Sequence, residues 1–171
     1  VGDRVDAQLV LVCGHGSRDA CCALRGTAVF GALEGILGDE ELWISSHQGG
    51  HRFAANVLVL PTGLQFGRVE VNEAPLLVAR ALAGYIELDR YRGRTCYEPA
   101  IQAAEHAVRS AAGIDRIDAL RLAGVEGPVV RFRARGGTLH AAAVEGIDGP
   151  PVPDSCGVEP EPQPGFAVRV L

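Results

Sequence analysis

The segment AQLVLVC (Ala7–Cys13) is apolar without alternation, the pattern of a strand covered on both faces of a sheet. Beyond the loop Gly14–Asp19, the residues Leu24, Ala28, Leu33 and Ile36–Leu37 recur at helical spacing. They predict a helix from Ala23 to Leu37 with Gly38 as its C-cap. ELWIS (Glu41–Ser45) reads as a second strand, and NVLVL and QFGRV around Pro61-Thr62-Gly63 read as a hairpin. APLLVARALAGYI predicts a helix with Leu76, Leu77, Ala81 and Leu82 inward, closing near Gly84. The resulting order, β-α-β-β-β-α, sets the first strand inside the sheet with Cys13 at its carboxyl end. Reactive groups of open α/β sheets collect at that edge.

EPAIQAAEHAVRSAA predicts a third helix, with Pro99 accommodated in its first turn. After it, IDALRLAG, PVVRFRARG, TLHAAAVEG and GFAVRVL alternate like strands and are joined by glycine-rich turns. DGPPVPDSCGVEPEPQPG holds six of the chain's ten prolines and is expected to be connection rather than central strand. The expected fold class is therefore α/β, a thioredoxin-like domain over residues 1–112 followed by a small antiparallel β-rich appendage over 113–171.

Composition narrows the function classes. In 171 residues, 47% hydrophobic and 22% charged content argues against disorder. The net charge of −5 is spread over both halves and neither half is basic, so nucleic-acid binding through a cationic surface is disfavoured. No apolar run is long enough to span a bilayer, and no signal peptide is evident. The chain contains no Met, even at position 1, which points to a missing N-terminal part. Five cysteines, three of them within ten residues (Cys13, Cys21, Cys22), do not resemble a secreted disulfide framework. A reducing, cytoplasmic location is expected.

The chemistry-bearing residues fall in two glycine-rich stretches, VCGHGSRDACC and SSHQGGH. Isolated residues have plainer roles: Cys96 and Cys156 as small buried hydrophobes, His106 and His140 as partnered or surface side chains. Cys13, Cys21, Cys22, His47 and His51 are different, because the glycines around them offer little to bury and let backbone amides approach a bound ion. The His pair is not a metalloprotease motif, since Gln48 stands where a general base is needed. Cys13 and Cys22 lie too far apart for a zinc finger, and no Cys-x-x-Cys follows the first strand. Two thiolates with two imidazoles suit an iron–sulfur cluster whose His ligands make it less negative and raise its potential. Structural Zn2+ and thiol chemistry at Cys21 or Cys22 remain as alternatives.

LVCGHGSRDACCALRG followed by SSHQGGHRFAANVLVLPTGLQFGRV closely resembles the sucrase/ferredoxin-like family, from about Leu9 to Val71 and more loosely through YRGRTCYEPAIQAAEHAVR. The resemblance implies a thioredoxin-like [2Fe–2S] ferredoxin domain with Cys13, Cys22, His47 and His51 as ligands. Cys21 is a possible substitute for Cys22. Cys13 and Cys22 are expected on one iron and the histidines on the other, with one-electron transfer, proton-coupled or not, to a redox partner protein or a small oxidant. No paired-carboxylate site supports sucrase activity. His15, Arg18, Asp19 and Arg52 are expected to support the loops or balance charge, and Ser45 and Ser46 to cap the turn or bond a cluster sulfur.

Overall fold

A computed structural model describes residues 7–14, 16, 20–154 and 157–171. Strand β1 (Leu9–Cys13) pairs in parallel with β2 (Leu42–Ser45) and antiparallel with β3 (Val57–Leu60); β4 (Leu64–Phe66) and β5 (Tyr91–Arg94) complete a sheet of order β2-β1-β3-β4-β5. Helix α1 (Ala20–Leu33) crosses from β1 to β2, and α2 (Ala74–Leu82) joins β4 to β5. This is the β-α-β plus β-β-α layout of a thioredoxin-like fold, with β1 interior as the sequence predicts. Val10, Val12, Val29, Leu33, Val57, Phe66, Leu77 and Ile86 are among its fully buried residues.

Three elements differ from expectation. Helix α1 starts at Ala20, not Ala23, which places Cys21 and Cys22 in its first turn, and it ends at Leu33. Helix α2 buries Ala74, Leu77, Val78 and Ala81, an i, i+3, i+4, i+7 stripe, and leaves Leu76 67% exposed. Neighbouring leucines point about 100° apart around a helix, so Leu76 and Leu77 cannot both face the core. Strand β5 is not evident in the sequence: in YRGR only Tyr91 and Gly93 face inward, between two arginines.

Helix α3 (Pro99–Ala112) forms as predicted, with Pro at its first position and Gly113 in the left-handed conformation at its end. Beyond it, β6 (Leu120–Glu126), β7 (Val129–Ala134), β8 (Leu139–Val152) and β9 (Glu161–Val170) make a separate antiparallel sheet in chain order. Ala104 and Val108 of α3 share its core with Leu120, Val130, Phe132 and Ala142.

The proline-rich stretch is a correction: Pro150 and Pro151 lie in β8, and Pro162 and Pro164 in β9. They are tolerated because β7 pairs with β8 only over Leu139–Ala143. Farther out, β8 and β9 form a two-stranded ribbon with a register shift between Asp148 and Pro151, so a missing N–H need not break a ladder. Among the described residues, no helix is long and apolar enough to cross a membrane.

Candidate metal centre

The end of β1 and the start of α1 bring the thiols together. Cys13 and Cys22 are each only 1% exposed and pack with Ala54 and Cys21 in a small apolar cluster of their own. The close approach depends on Gly26, one turn beyond Cys22 in α1, whose Cα faces the Cys13 carbonyl. A Cβ there would lie 2.0 Å from that oxygen.

The histidines arrive on the loop between β2 and β3. Gly49 and Gly50 both take positive φ, 85° and 70°, which turns the chain back so that a single 3-10 turn begins at His51. The rings of His47 and His51 stack with centroids 4.3 Å apart. His51 Nδ1 lies 3.6 Å from Cys22 Sγ. The thiols are interior, His51 is half-buried and His47 is exposed. Of the adjacent cysteines, Cys22 is the one facing His51; Cys21 is disulfide-bonded. Among the described residues, no three His, Cys, Asp or Glu side chains form a ready-made metal-holding group.

The loop is fastened by polar residues whose roles the sequence did not reveal. Gln48 Nε2 donates to Leu11 O at 3.0 Å and to Ser45 Oγ at 2.7 Å, so Ser45 braces the turn. Gln65 Nε2 donates to Gln48 O at 3.3 Å. Asn56, 1% exposed, donates to Gly50 O at 3.1 Å and accepts from Arg92 Nη1 at 2.9 Å, while its own carbonyl accepts the Cys13 amide at 3.0 Å. Arg92 Nη1 also donates to Gly49 O at 3.2 Å. Burial first, then Arg52 and Arg68, pull the Arg92 guanidinium down to about 10. Asn56 thus joins the Cys13 strand to the histidine loop. An Asn56→Leu variant leaves Gly50 O and Arg92 short of partners, and should lose about 1–3 kcal/mol per orphaned group in urea denaturation. A loss below about 0.5 kcal/mol would show the brace to be dispensable.

Other candidates take plainer places. Arg52 pairs with Asp154 at 3.2 Å, tying the loop to the far end of the β8–β9 ribbon. His106 Nε2 lies 3.0 Å from Leu88 O, partnered as expected, and His140 is half-buried in β8. Cys96 is exposed, not a buried hydrophobe: it sits in the turn after β5, where no core is at hand. His15, Arg18, Asp19 and Cys156 lie outside the described residues.

The sucrase/ferredoxin-like family matches residues 2–93, which contain both glycine-rich stretches and the whole five-stranded sheet except Arg94. The chain belongs to that family. Among curated proteins it is similar to altered inheritance of mitochondria protein 32 of Meyerozyma guilliermondii, 33% identical over 96 residues, or 50% of this chain and 34% of the relative. The Eremothecium gossypii protein of the same name is 35% identical over 106 residues, 54% of this chain and 34% of its own. The chain thus spans about a third of the length of these relatives. Among solved structures, a thioredoxin-like [2Fe–2S] ferredoxin from Aquifex aeolicus aligns with 56% of this chain and 97% of its own, at 17% identity and a TM-score of 0.46.

Proposed function

We propose that this member of the family is an electron-transfer protein that holds a [2Fe–2S] cluster through Cys13, Cys22, His47 and His51. The observation that carries the reading is the convergence of the two stretches: Cys22 Sγ 3.6 Å from His51 Nδ1, with the His47 ring stacked on His51. Buried Cys13 lies in the same apolar cluster as Cys22. The donor set fits the group, since two thiolates and two imidazoles are an established ligand combination for such clusters. When bound, the cluster would accept and release one electron.

The residues of the chain define how that electron would travel. The thiols are buried while His51 is half-buried and His47 exposed, so exchange with a redox partner would run past His47 and His51. Their outer ring nitrogens can gain or lose a proton as the charge of the site changes, coupling the two transfers. Neutral imidazoles in place of thiolates raise the potential, and the half-buried Arg92 cation behind the loop acts in the same direction.

The test is spectroscopic: optical and low-temperature EPR spectra of anaerobically purified protein, with iron, sulfide and zinc measured on one sample. About two irons and two sulfides per chain are expected. A colourless protein with about one zinc would replace the reading with a structural metal domain. Given a cluster, His51→Cys should lower the potential by roughly 100 mV or more and flatten its pH dependence. An unchanged potential in that variant would remove His51 from the ligand set.

A further inference from the structure

Arg68 is the only non-glycine residue with positive φ among the described residues, at 54°. That backbone is unfavourable for a side chain with a Cβ, and it is held by the Arg68 amide donating to Phe53 O at 2.7 Å. It puts the Arg68 guanidinium 4.9 Å from the centre of the Phe53 ring, where Arg52 and Arg92 also lie, at 4.7 and 4.6 Å. Three cations therefore share one aromatic ring. Like charges so close repel one another, and such a cluster is unfavourable unless anions answer it.

Few do. Arg92 is occupied by the Gly49 carbonyl and Asn56, both uncharged. Arg52 Nη1 meets Asp154 at 3.2 Å and Gln163 Oε1 at 3.3 Å. Among the described residues, Arg68 and Arg25 have no carboxylate partner. Arg25 makes one long bond, to Ala54 O at 3.5 Å. A cavity of about 360 Å3 opens between these groups, walled by Arg25, Arg52, Arg68 and His51, with Val152 and Val158 as apolar sides. Its volume suits a small molecule.

We propose that this cavity binds a small organic anion, whose carboxylate or phosphate group is held jointly by Arg25, Arg52 and Arg68. Guanidinium groups recognise both oxyanions through paired charge-assisted hydrogen bonds. Asp154, exposed at the end of β8, is the internal competitor: its carboxylate holds Arg52 until a ligand displaces it. His51 in the wall brings the bound anion against the edge of the candidate centre. The binding itself does not depend on which metal the centre holds.

Isothermal titration of the purified protein at low ionic strength, with succinate and with inorganic phosphate as probes, tests this. One-to-one saturable binding of at least one probe is expected, and the preferred probe tells carboxylate from phosphate. Arg52→Gln and Arg68→Asn should each weaken it by about tenfold, Asn being chosen because it tolerates the left-handed backbone. Asp154→Asn should strengthen it by about threefold, through loss of the competitor. Arg135→Gln, in the turn after β7 and paired with Asp118, should leave it unchanged. No saturable binding by either the native or the Asp154→Asn protein would overturn the proposal. So would equal weakening in Arg135→Gln.

Discussion

Arg109→Met is expected to destabilise the protein by about 3–5 kcal/mol, the cost of leaving a buried charge without its partner. Arg109 and Glu105 are one turn apart on α3 and essentially unexposed, with Arg109 Nη2 2.9 Å and Nε 3.0 Å from Glu105 Oε1. The other Glu105 oxygen accepts from Tyr91 Oη at 2.9 Å, so the pair also fastens β5. Burial first, and then the Glu105 charge, push the Tyr91 phenol well above its ordinary value, and it remains a donor. Arg109 further donates to the carbonyls of Ile114, Arg116, Ile117 and Leu120, the chain that leads into β6. One guanidinium thus joins the five-stranded sheet to the second one. A domain of ordinary stability, about 5–15 kcal/mol, would lose a large part of it. The measurement is the urea midpoint of Arg109→Met beside that of Glu105→Gln and the double variant. The double variant should cost less than the sum of the two, because its members share one network. A loss below about 1 kcal/mol in Arg109→Met would mean that water or rearrangement replaces the guanidinium.

The sequence announced β1 and β3 through the unbroken apolar runs LVLVC and NVLVL, which are short and bounded by turn residues, as buried strands are. It also announced the four candidate ligands, because Cys and His embedded in glycine have little structural reason to be there. The supporting residues were not legible. Asn56, Gln48 and Gln65 are ordinary polar residues in sequence, and they matter only because folding aims them at the backbone of the histidine loop. Nothing local in the sequence marks Arg109 as an arginine that will be enclosed by carbonyls, or Arg92 as one that will hold the histidine loop. The β8–β9 ribbon was hidden for another reason. Proline forbids a ladder bond only where a partner needs that N–H, and a strand with one neighbour leaves half of its amides unused. Prolines cannot show from sequence alone which side of a strand will be paired.

Gly26→Ala separates the needs of the helix from those of the site. In an exposed helix, replacing glycine by alanine gains about 1 kcal/mol. Gly31, in the same helix α1, is such a position: an added Cβ would meet only Glu34 Oε2, at 3.9 Å. Gly31→Ala should therefore stabilise the protein by about 0.5–1 kcal/mol. At Gly26 the new Cβ would lie 2.0 Å from Cys13 O and 3.0 Å from Cys13 C. Both are backbone atoms, so no side-chain rotation relieves the clash. Helix α1 must move away from β1 by about 1 Å, at an overpacking cost of about 1–3 kcal/mol that outweighs the gain in helix propensity. The same movement draws Cys22 away from Cys13, because one thiol is on the helix and the other on the strand. The variant should melt below the parent, bind substoichiometric iron after reconstitution and expose both thiols to a disulfide reagent at a higher rate. If Gly26→Ala matches Gly31→Ala in melting temperature, iron content and thiol reactivity, the close approach of α1 to the Cys13 carbonyl is not what holds the two thiols together.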